Sequence, residues 1–164
     1  MNNSMHNETK AGPGGVLRVA TNHDRFNELR SLGISTIQFK VTPRDHDSTL
    51  IIENVFHAPG GPPRHLHHEQ DEWFYIVEGD FVMEVGQERF NLRPGDSLLA
   101  PRRVPHVWAH VGDTQGRILI SFLPAGQMEA FFRLVTQANA MPSQDAALFR
   151  AYGMELLGPP LAVE

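Results

Sequence analysis

The sequence contains no cysteine, which excludes a disulfide framework and any thiolate metal site. Basic residues are also few: 14 Lys and Arg against 19 Asp and Glu leave a formal net charge of −5, without the basic footprint of a nucleic-acid-binding protein. No stretch is apolar over the length of a membrane span, and "MNNSMHNETK" lacks the apolar core of a signal peptide. We therefore expect a cytoplasmic protein with neither a nucleic-acid nor a membrane partner. Any metal site must use imidazole and carboxylate ligands.

The length and composition suit one globular domain, since the chain has 164 residues, of which 41% are hydrophobic and 20% charged. Residues 1–15, which end in "AGPGG", predict a flexible N-terminal tail, and residues 16–164 predict a single domain. The segment "VLRVA" at 16–20 is compatible with a first strand. Residues 22–33 fit a short helix and an ordered loop equally well.

The central part of the chain, residues 34–123, has the pattern of a β-protein, with period-two runs separated by turn-forming segments rich in Gly, Pro and Asp. Many short strands at close spacing predict an all-β sandwich or barrel. The predicted strands are 34–41, 49–57, 72–79, 81–85, 88–92, 96–100, 106–111 and 117–123.

After residue 123 the pattern changes to that of helices. Apolar residues recur at helical spacing at Met128, Phe131, Phe132 and Val135. A second helix is predicted from Ser143 as its N-cap. This helix would bury Leu148 and Tyr152. One or two C-terminal helices within about residues 127–152 would cover an opening of the barrel, brace a dimer or pack on the outside of a sheet.

A crowded group of histidines and acids lies in "PPRHLHHEQDEWFYIVEGD", residues 62–80. Alternate side chains of a strand share a face, so His65 and His67 point the same way, and Glu72 begins the next strand. The group is either a solvated charged loop or half of a metal site. A second group decides between these interpretations, because His106 follows "PGDSLLAPRRVP" on a strand that a barrel can bring beside the first group.

Five further residues are candidates for the lining of a mostly apolar pocket: Phe74, Ile76, Met83, Trp108 and His110. Each of them could equally fill the barrel core. His110 shares a face with His106 but follows it by four residues, which places it about 13 Å further along the strand. We therefore predict a buried, hydrogen-bonded histidine at this position, and not a fifth metal ligand.

The two groups resemble the two sequence motifs of the cupins. The first motif reads His65-x-His67, then Glu72 and Gly79 at the family spacing, although its leading glycine is one position late, at Gly60. In the second motif Gly95, Pro101 and His106 match the family pattern. Arg103 replaces a glycine, the residue type that adopts positive φ without strain, and His110 replaces an asparagine.

The resemblance implies a jelly-roll barrel whose metal ligands are His65, His67, Glu72 and His106. Three imidazoles and one carboxylate suit one divalent transition metal ion, which would be Fe, Mn, Ni, Co, Cu or Zn. Four ligands leave coordination positions free for a substrate or oxygen. A closed structural zinc site would more usually contain cysteine.

Among cupins, the ligand set resembles that of quercetin dioxygenase-like proteins. This resemblance implies a metal-dependent dioxygenase that acts on a small aromatic, enolic or diketone substrate, with Glu72 as both ligand and catalytic base. Two alternatives stay open: a non-catalytic sensor that binds a small molecule, and a metal-dependent isomerase or lyase acting on a sugar or keto acid. We also expect a homodimer, because two predicted strands carry large residues on both faces and cupins commonly pair through their sheets.

Overall fold

A computed structural model describes residues 15–163 and contains two antiparallel five-stranded sheets with two short α-helices after the ninth strand. The strands are β1 (Ser35–Val41), β2 (Leu50–Phe56), β3 (Arg64–His67), β4 (Asp71–Glu78), β5 (Asp80–Val85), β6 (Glu88–Leu92), β7 (Ser97–Ala100), β8 (His106–Val111), β9 (Gly116–Leu123) and β10 (Met154–Gly158). The helices are α1 (Met128–Val135) and α2 (Ala146–Ala151). The predicted all-β barrel with C-terminal helices is confirmed.

The strand order brings distant segments together. The first sheet has the order β1-β2-β9-β4-β7, and the second has the order β10-β3-β8-β5-β6. The strand with the two motif histidines, β3, therefore lies beside β8, while the strand that begins near Glu72, β4, belongs to the opposite sheet. Residues of both motifs can meet only in the space between the sheets.

Side-chain alternation in β4 determines what faces that space. Glu72, Phe74 and Ile76 are buried, whereas Trp73 and Tyr75 are half-buried on the outer face. The same alternation in the other strands packs Phe, Ile, Leu and Met side chains into a continuous core between the sheets. Hydrophobic burial of this core is the main contribution to the stability of the barrel.

The segment before β1 is an ordered loop, so the prediction of a strand at 16–20 is wrong. Asp24 explains the loop, because its carboxylate accepts hydrogen bonds from the backbone N–H of Phe26 (2.7 Å) and of Phe39 (2.8 Å) and forms a buried ion pair with Arg30. A short acidic side chain that captures nearby backbone N–H groups competes with helix formation. The predicted tail, residues 1–15, lies outside the described residues except for Gly15.

The helices differ in how well their sequence signals locate them. Helix α1 buries Met128, Phe131 and Val135, with Phe132 partly buried. Helix α2 begins later than predicted, because its N-cap is Asp145, not Ser143. The Asp145 carboxylate accepts hydrogen bonds from the N–H groups of residues 147 and 148. This shift turns Phe149 into the core.

Strand β10 was absent from the predicted elements. It pairs antiparallel with β3, placing Leu156 opposite His65 and Met154 opposite His67. The C-terminal segment therefore extends the second sheet directly beside the motif histidines. Within residues 15–163, no helix combines the length and the apolar character needed to cross a membrane.

The outer face of the first sheet carries large apolar side chains. Trp73 stacks on Tyr75 with ring centroids 6.0 Å apart, and Trp73 lies opposite Leu99 in the neighbouring strand. Leu99 is 52% exposed and Leu123, opposite Asp71 on the next strand, is 44% exposed. Exposed apolar side chains grouped on one face are typical of an interface.

We expect a homodimer that pairs through this outer face. Leu99→Glu should convert the dimer to a monomer at micromolar concentration, because it places a charge in the apolar contact. Leu157→Glu is the matched control, since Leu157 is similarly exposed (42%) but lies on the second sheet. Light scattering after size-exclusion chromatography measures the outcome, and a monomeric wild-type protein would contradict the expectation.

Candidate metal centre

Four side chains of the two motifs converge between the sheets. His65 and His67 lie on β3, and His106 lies opposite His65 on β8. Glu72 reaches them from β4 of the other sheet. One ligand atom from each residue lies within 4.8 Å of the ligand atoms of the other three. The arrangement brings three imidazole nitrogens and one carboxylate oxygen to a single point, as a metal ion requires.

The convergence occurs in the interior of the protein. Glu72 is 3% exposed, His67 and His106 are each 1% exposed, and His65 is 6% exposed. Burial of a carboxylate and three imidazoles away from water is costly unless their polar atoms are satisfied. The four buried side chains therefore need a partner that offsets the cost of removing them from water. Hydrogen bonds within the cluster offset this cost only in part.

Each imidazole is oriented through its Nδ1 atom. His65 Nδ1 lies 2.7 Å from the carbonyl oxygen of Pro63, and His106 Nδ1 lies 3.3 Å from that of Val104. His67 Nδ1 lies 3.4 Å from Oε1 of Gln70. These acceptors place the ring proton on Nδ1 and leave the lone pair of Nε2 free, which is how metal-binding histidines are held.

The Nε2 atoms then face Glu72. His106 Nε2 lies 2.8 Å from Glu72 Oε2, and His67 Nε2 lies 3.2 Å from the same oxygen, without the alignment of a hydrogen bond. His67 Nε2 is consequently a buried nitrogen that no described residue satisfies. A cation among these atoms would satisfy it, so the residues fit a divalent transition metal ion.

The electrostatics of the cluster favour the protonation states of metal ligands. Burial, together with the neighbouring His106 and His67, lowers the pKa of His65 to about 3. Burial alone would raise the pKa of Glu72. The close contacts with the imidazoles of His106 and His67 outweigh this effect and hold the pKa of Glu72 well below its usual range. A neutral imidazole and an ionised carboxylate are the forms that bind metals.

Glycine and turn residues support the cluster from behind. A Cβ atom at Gly126 would lie 1.7 Å from Nε2 of Gln70, so only glycine leaves room for the side chain that orients His67. Arg103 has φ of +64°, so it keeps the left-handed turn of the family glycine that it replaces. Its backbone N–H donates to the carbonyl of His67 at 2.7 Å. The second motif thus holds the first in place.

A cavity of about 60 Å³, which we call the chamber, adjoins the cluster. This space holds a few water-sized groups, so a larger ligand would also displace part of the surrounding cover. Most of the lining is apolar, and the cover is formed by α1, α2 and the segment between them. The lining residues beyond the cluster include Leu32, Ser35, Ile52, Asn54, Phe56, Trp108, Ile120, Phe122, Met128, Phe131, Phe132, Met141, Phe149 and Met154.

Some of the predicted pocket residues line the chamber, and others lie in the core. Trp108 lines the chamber, whereas Phe74, Ile76 and Met83 are fully buried in the core beside it. The lining residues Ser35 and Asn54 were not among the sequence candidates. A signal was present for Asn54, because an amide interrupts the apolar run "LIIENVF" at an inward position.

His110 lies in the core and does not line the chamber. Its ring packs on Phe81 (5.3 Å between ring centroids) and on Phe56 (5.8 Å), and a Cβ at Gly116 would lie 2.2 Å from its Cδ2 atom. Neither ring nitrogen has a hydrogen-bond partner of normal geometry among residues 15–163, so the predicted hydrogen bond is absent. Burial lowers the pKa of His110, against the smaller opposing effects of the Ala58 carbonyl and Asp80.

Residues 55–122 match the family model of the cupin domain. Two curated relatives are Polyketide synthase CurC of Streptomyces cyaneus, 29% identical over 77 residues (47% of this chain, 50% of that protein), and Protein SchB of Streptomyces halstedii, 30% identical over 60 residues (37% and 44%). The chain spans about half the length of the curated relatives it matches.

Solved structures support the same family. An RmlC-like cupin from Shewanella frigidimarina NCIMB 400 is 27% identical with a TM-score of 0.52, covering 62% of this chain and 87% of that chain. KdgF from Halomonas sp. is 22% identical with a TM-score of 0.52, covering 59% and 87%, and shares the fold. Together these matches support the cupin superfamily, whereas the finer resemblance to quercetin dioxygenase-like cupins stays a prediction.

We expect about one transition metal ion per chain in protein purified without chelator. His106→Ala should lower metal content severely because it removes one of four converging ligands, while the large apolar core keeps the barrel folded. His110→Asn is the matched control on the same strand and should keep the wild-type metal content. Elemental analysis with circular dichroism measures both, and full occupancy in His106→Ala would contradict the ligand assignment.

The buried His110 also predicts a pH dependence of stability. Its pKa is lowered in the folded protein, so as pH falls below the ordinary value of 6.5 the unfolded chain takes up a proton that the folded one refuses. Stability is present above this pH and is lost as pH falls. His110→Asn should flatten that slope by up to about 1.4 kcal/mol per pH unit. Urea unfolding of metal-free protein between about pH 5 and pH 7 tests this, and an unchanged slope would refute it.

Proposed function

We propose that this protein is a metal-dependent oxygenase that acts on a small enolic, diketone or aromatic substrate. His65, His67, Glu72 and His106 would hold one divalent transition metal ion. The observation that carries the proposal is the convergence of four buried ligand atoms within 4.8 Å of one another, on the wall of an apolar chamber. A site that serves only to stabilise the fold would have no need of the chamber.

The metal supplies the chemistry that side chains cannot. When bound, a divalent ion would supply Lewis acidity toward a substrate oxygen and, if redox-active, electron transfer with dioxygen. Four protein ligands leave coordination positions for the substrate on an ion of five or six ligands. The three histidines fix the position of the ion, since their Nδ1 atoms are held by Pro63, Gln70 and Val104.

Glu72 is the residue placed to move a proton. Its Oε2 atom lies between the Nε2 atoms of His106 and His67, at the chamber wall. An enol or a diketone loses a proton when it binds as an anion, and this carboxylate oxygen would accept it. The apolar walls contributed by Phe122 and Phe131 exclude water from the reacting group and strengthen its electrostatic interactions.

The lining of the chamber supports the substrate class. Its described residues include no lysine or arginine, so an acidic substrate would find no cationic side chain there and would depend on the metal alone. A sugar would leave most of its hydroxyl groups against aromatic and aliphatic side chains. The name of one relative, Polyketide synthase CurC, supports the enolic or diketone class, because the alternating carbonyl groups of polyketides enolise readily.

The decisive measurement is oxygen consumption by metal-loaded protein offered flavonols, catechols and diketones. We expect turnover with at least one class, and a fall of about 100-fold or more in kcat for Glu72→Gln, which loses the proton acceptor. Metal content of Glu72→Gln measured in the same samples separates loss of the base from loss of the ion. His110→Asn serves as the control that should keep turnover.

Saturable ligand binding without turnover under any metal would contradict the oxygenase and favour the sensor. In that case the same chamber and cluster would hold a small molecule without converting it. The cytoplasmic location and the homodimer stay predictions that this measurement does not address.

A further inference from the structure

Three polar residues of the chamber have no part in the metal cluster. Ser35, Asn54 and Trp108 are 0%, 5% and 3% exposed. The Ser35 hydroxyl, the Asn54 carbonyl oxygen and the Trp108 Nε1 atom are all buried without a hydrogen-bond partner in the described part of the chain. Such groups are rare in folded proteins because each one costs the free energy of its lost hydration.

The three residues lie around one side chain, Phe56. Ser35 is directly opposite Phe56 in the β1–β2 pair, and Asn54 precedes it by two residues on the same face. The Trp108 ring packs edge-on against Phe56 from the other sheet, with centroids 5.6 Å apart. We call Ser35, Asn54 and Trp108 the polar wall. Trp108 follows His106 by two residues on β8, so the polar wall begins about 7 Å from the cluster along that strand.

Folding alone gives no reason for an amide at position 54. Its partners across the sheet are Ile37 and Ile118, and its neighbours on the same face are Ile52 and Phe56. Leucine has the same number and branching of side-chain heavy atoms and would bury apolar surface without an unsatisfied oxygen. The adjacent Glu53, in contrast, faces outward and pairs with Lys40 and Arg117.

We infer that the polar wall recognises a neutral hydroxyl group at the end of the ligand far from the metal cluster. This inference rests on the proposed function, because it assigns the other end of the same ligand. The Trp108 N–H can only donate, the Asn54 oxygen accepts, and the Ser35 hydroxyl does either. A ligand hydroxyl, which both accepts and donates, complements all three. The described lining residues include no lysine or arginine, so a carboxylate or phosphate at this end of the ligand would be buried without a cationic side chain.

The ligand therefore has two polar ends joined by an apolar body. The enolic or diketone end lies at His65, His67, Glu72 and His106, and a ring or short chain fills the apolar space. The hydroxyl end supplies the hydrogen bonds that the polar wall lacks in the protein alone. Recognition of this kind discriminates strongly, because an analogue without the polar group leaves buried protein groups unpaired.

Benzoylacetone and its para-hydroxy derivative form a matched pair of probes, since they differ only in the hydroxyl group. Calorimetry with zinc-loaded protein measures their affinities without redox turnover. Wild-type protein should bind the para-hydroxy derivative about tenfold more tightly. In Asn54→Leu and Ser35→Ala the ratio should fall toward one with little change for benzoylacetone. Ser121→Ala, on the outer face of the first sheet, is the control and should keep the wild-type ratio.

Thermal unfolding of metal-free protein gives a second readout that needs no ligand. Asn54→Leu should keep or raise Tm, because it removes an unsatisfied amide from an apolar site. A clear drop in Tm would overturn the inference, since the amide would then have a structural partner. Equal binding of the two diketones by wild-type protein, or an unchanged ratio in both variants, would overturn it as well.

The same binding experiment separates a failure of the proposed function from a failure of the polar-wall inference. Both diketones should lose affinity in His106→Ala if the cluster holds the diketone end through its metal. Binding that is unaffected by His106→Ala contradicts the proposed function while the ratio between the two diketones still reports on the polar wall. If wild-type protein binds neither diketone, the proposed substrate class is contradicted, and the Tm of Asn54→Leu decides the polar wall.

Discussion

The burial of one carboxylate against three imidazoles is the interaction on which the rest of the structure depends. Glu72 comes from one sheet and its imidazole partners from the other, so the cluster forms only when the two sheets pack face to face. Such a polar group would destabilise an ordinary core. The imidazole rings of the cluster are oriented by backbone carbonyl groups and by Gln70, and Gly126 leaves room for the Gln70 side chain. A cluster that holds a cation needs these features, whereas a cluster that only fills the core does not.

The sequence predicted the positions of those residues that strand alternation and motif spacing determine. Alternation in "DEWFYIVE" turns Glu72 inward, and the spacing of both motifs is enough to identify His65, His67 and His106. For these residues the determinant lies within a few residues of the position it controls. At Arg103, where arginine replaces the glycine of the motif, the left-handed backbone became known only from the structure.

Features that escaped the sequence depend on contacts between distant segments. Strand β10 has no clear period of its own and exists because the edge of β3 accepts its hydrogen bonds. The loop before β1 is ordered by Asp24, whose partner Phe39 lies in the strand that follows. The unpaired side-chain oxygen of Asn54 could not be predicted from the sequence either. Only the packed barrel shows that none of the described residues donates a hydrogen bond to it.

The chamber joins these parts into one system. The first sheet contributes Glu72, Ser35 and Asn54, and the second contributes the histidines and Trp108, so a ligand between the sheets contacts both. The cover is continuous with the site, because β10 pairs with the strand of His65 and His67, and Phe149 of α2 packs on the His65 ring at 5.9 Å between centroids. A ligand that displaces the cover must therefore also displace the strand that carries His65 and His67. Exclusion of water and positioning of the ligand atoms are thus consequences of the same packing.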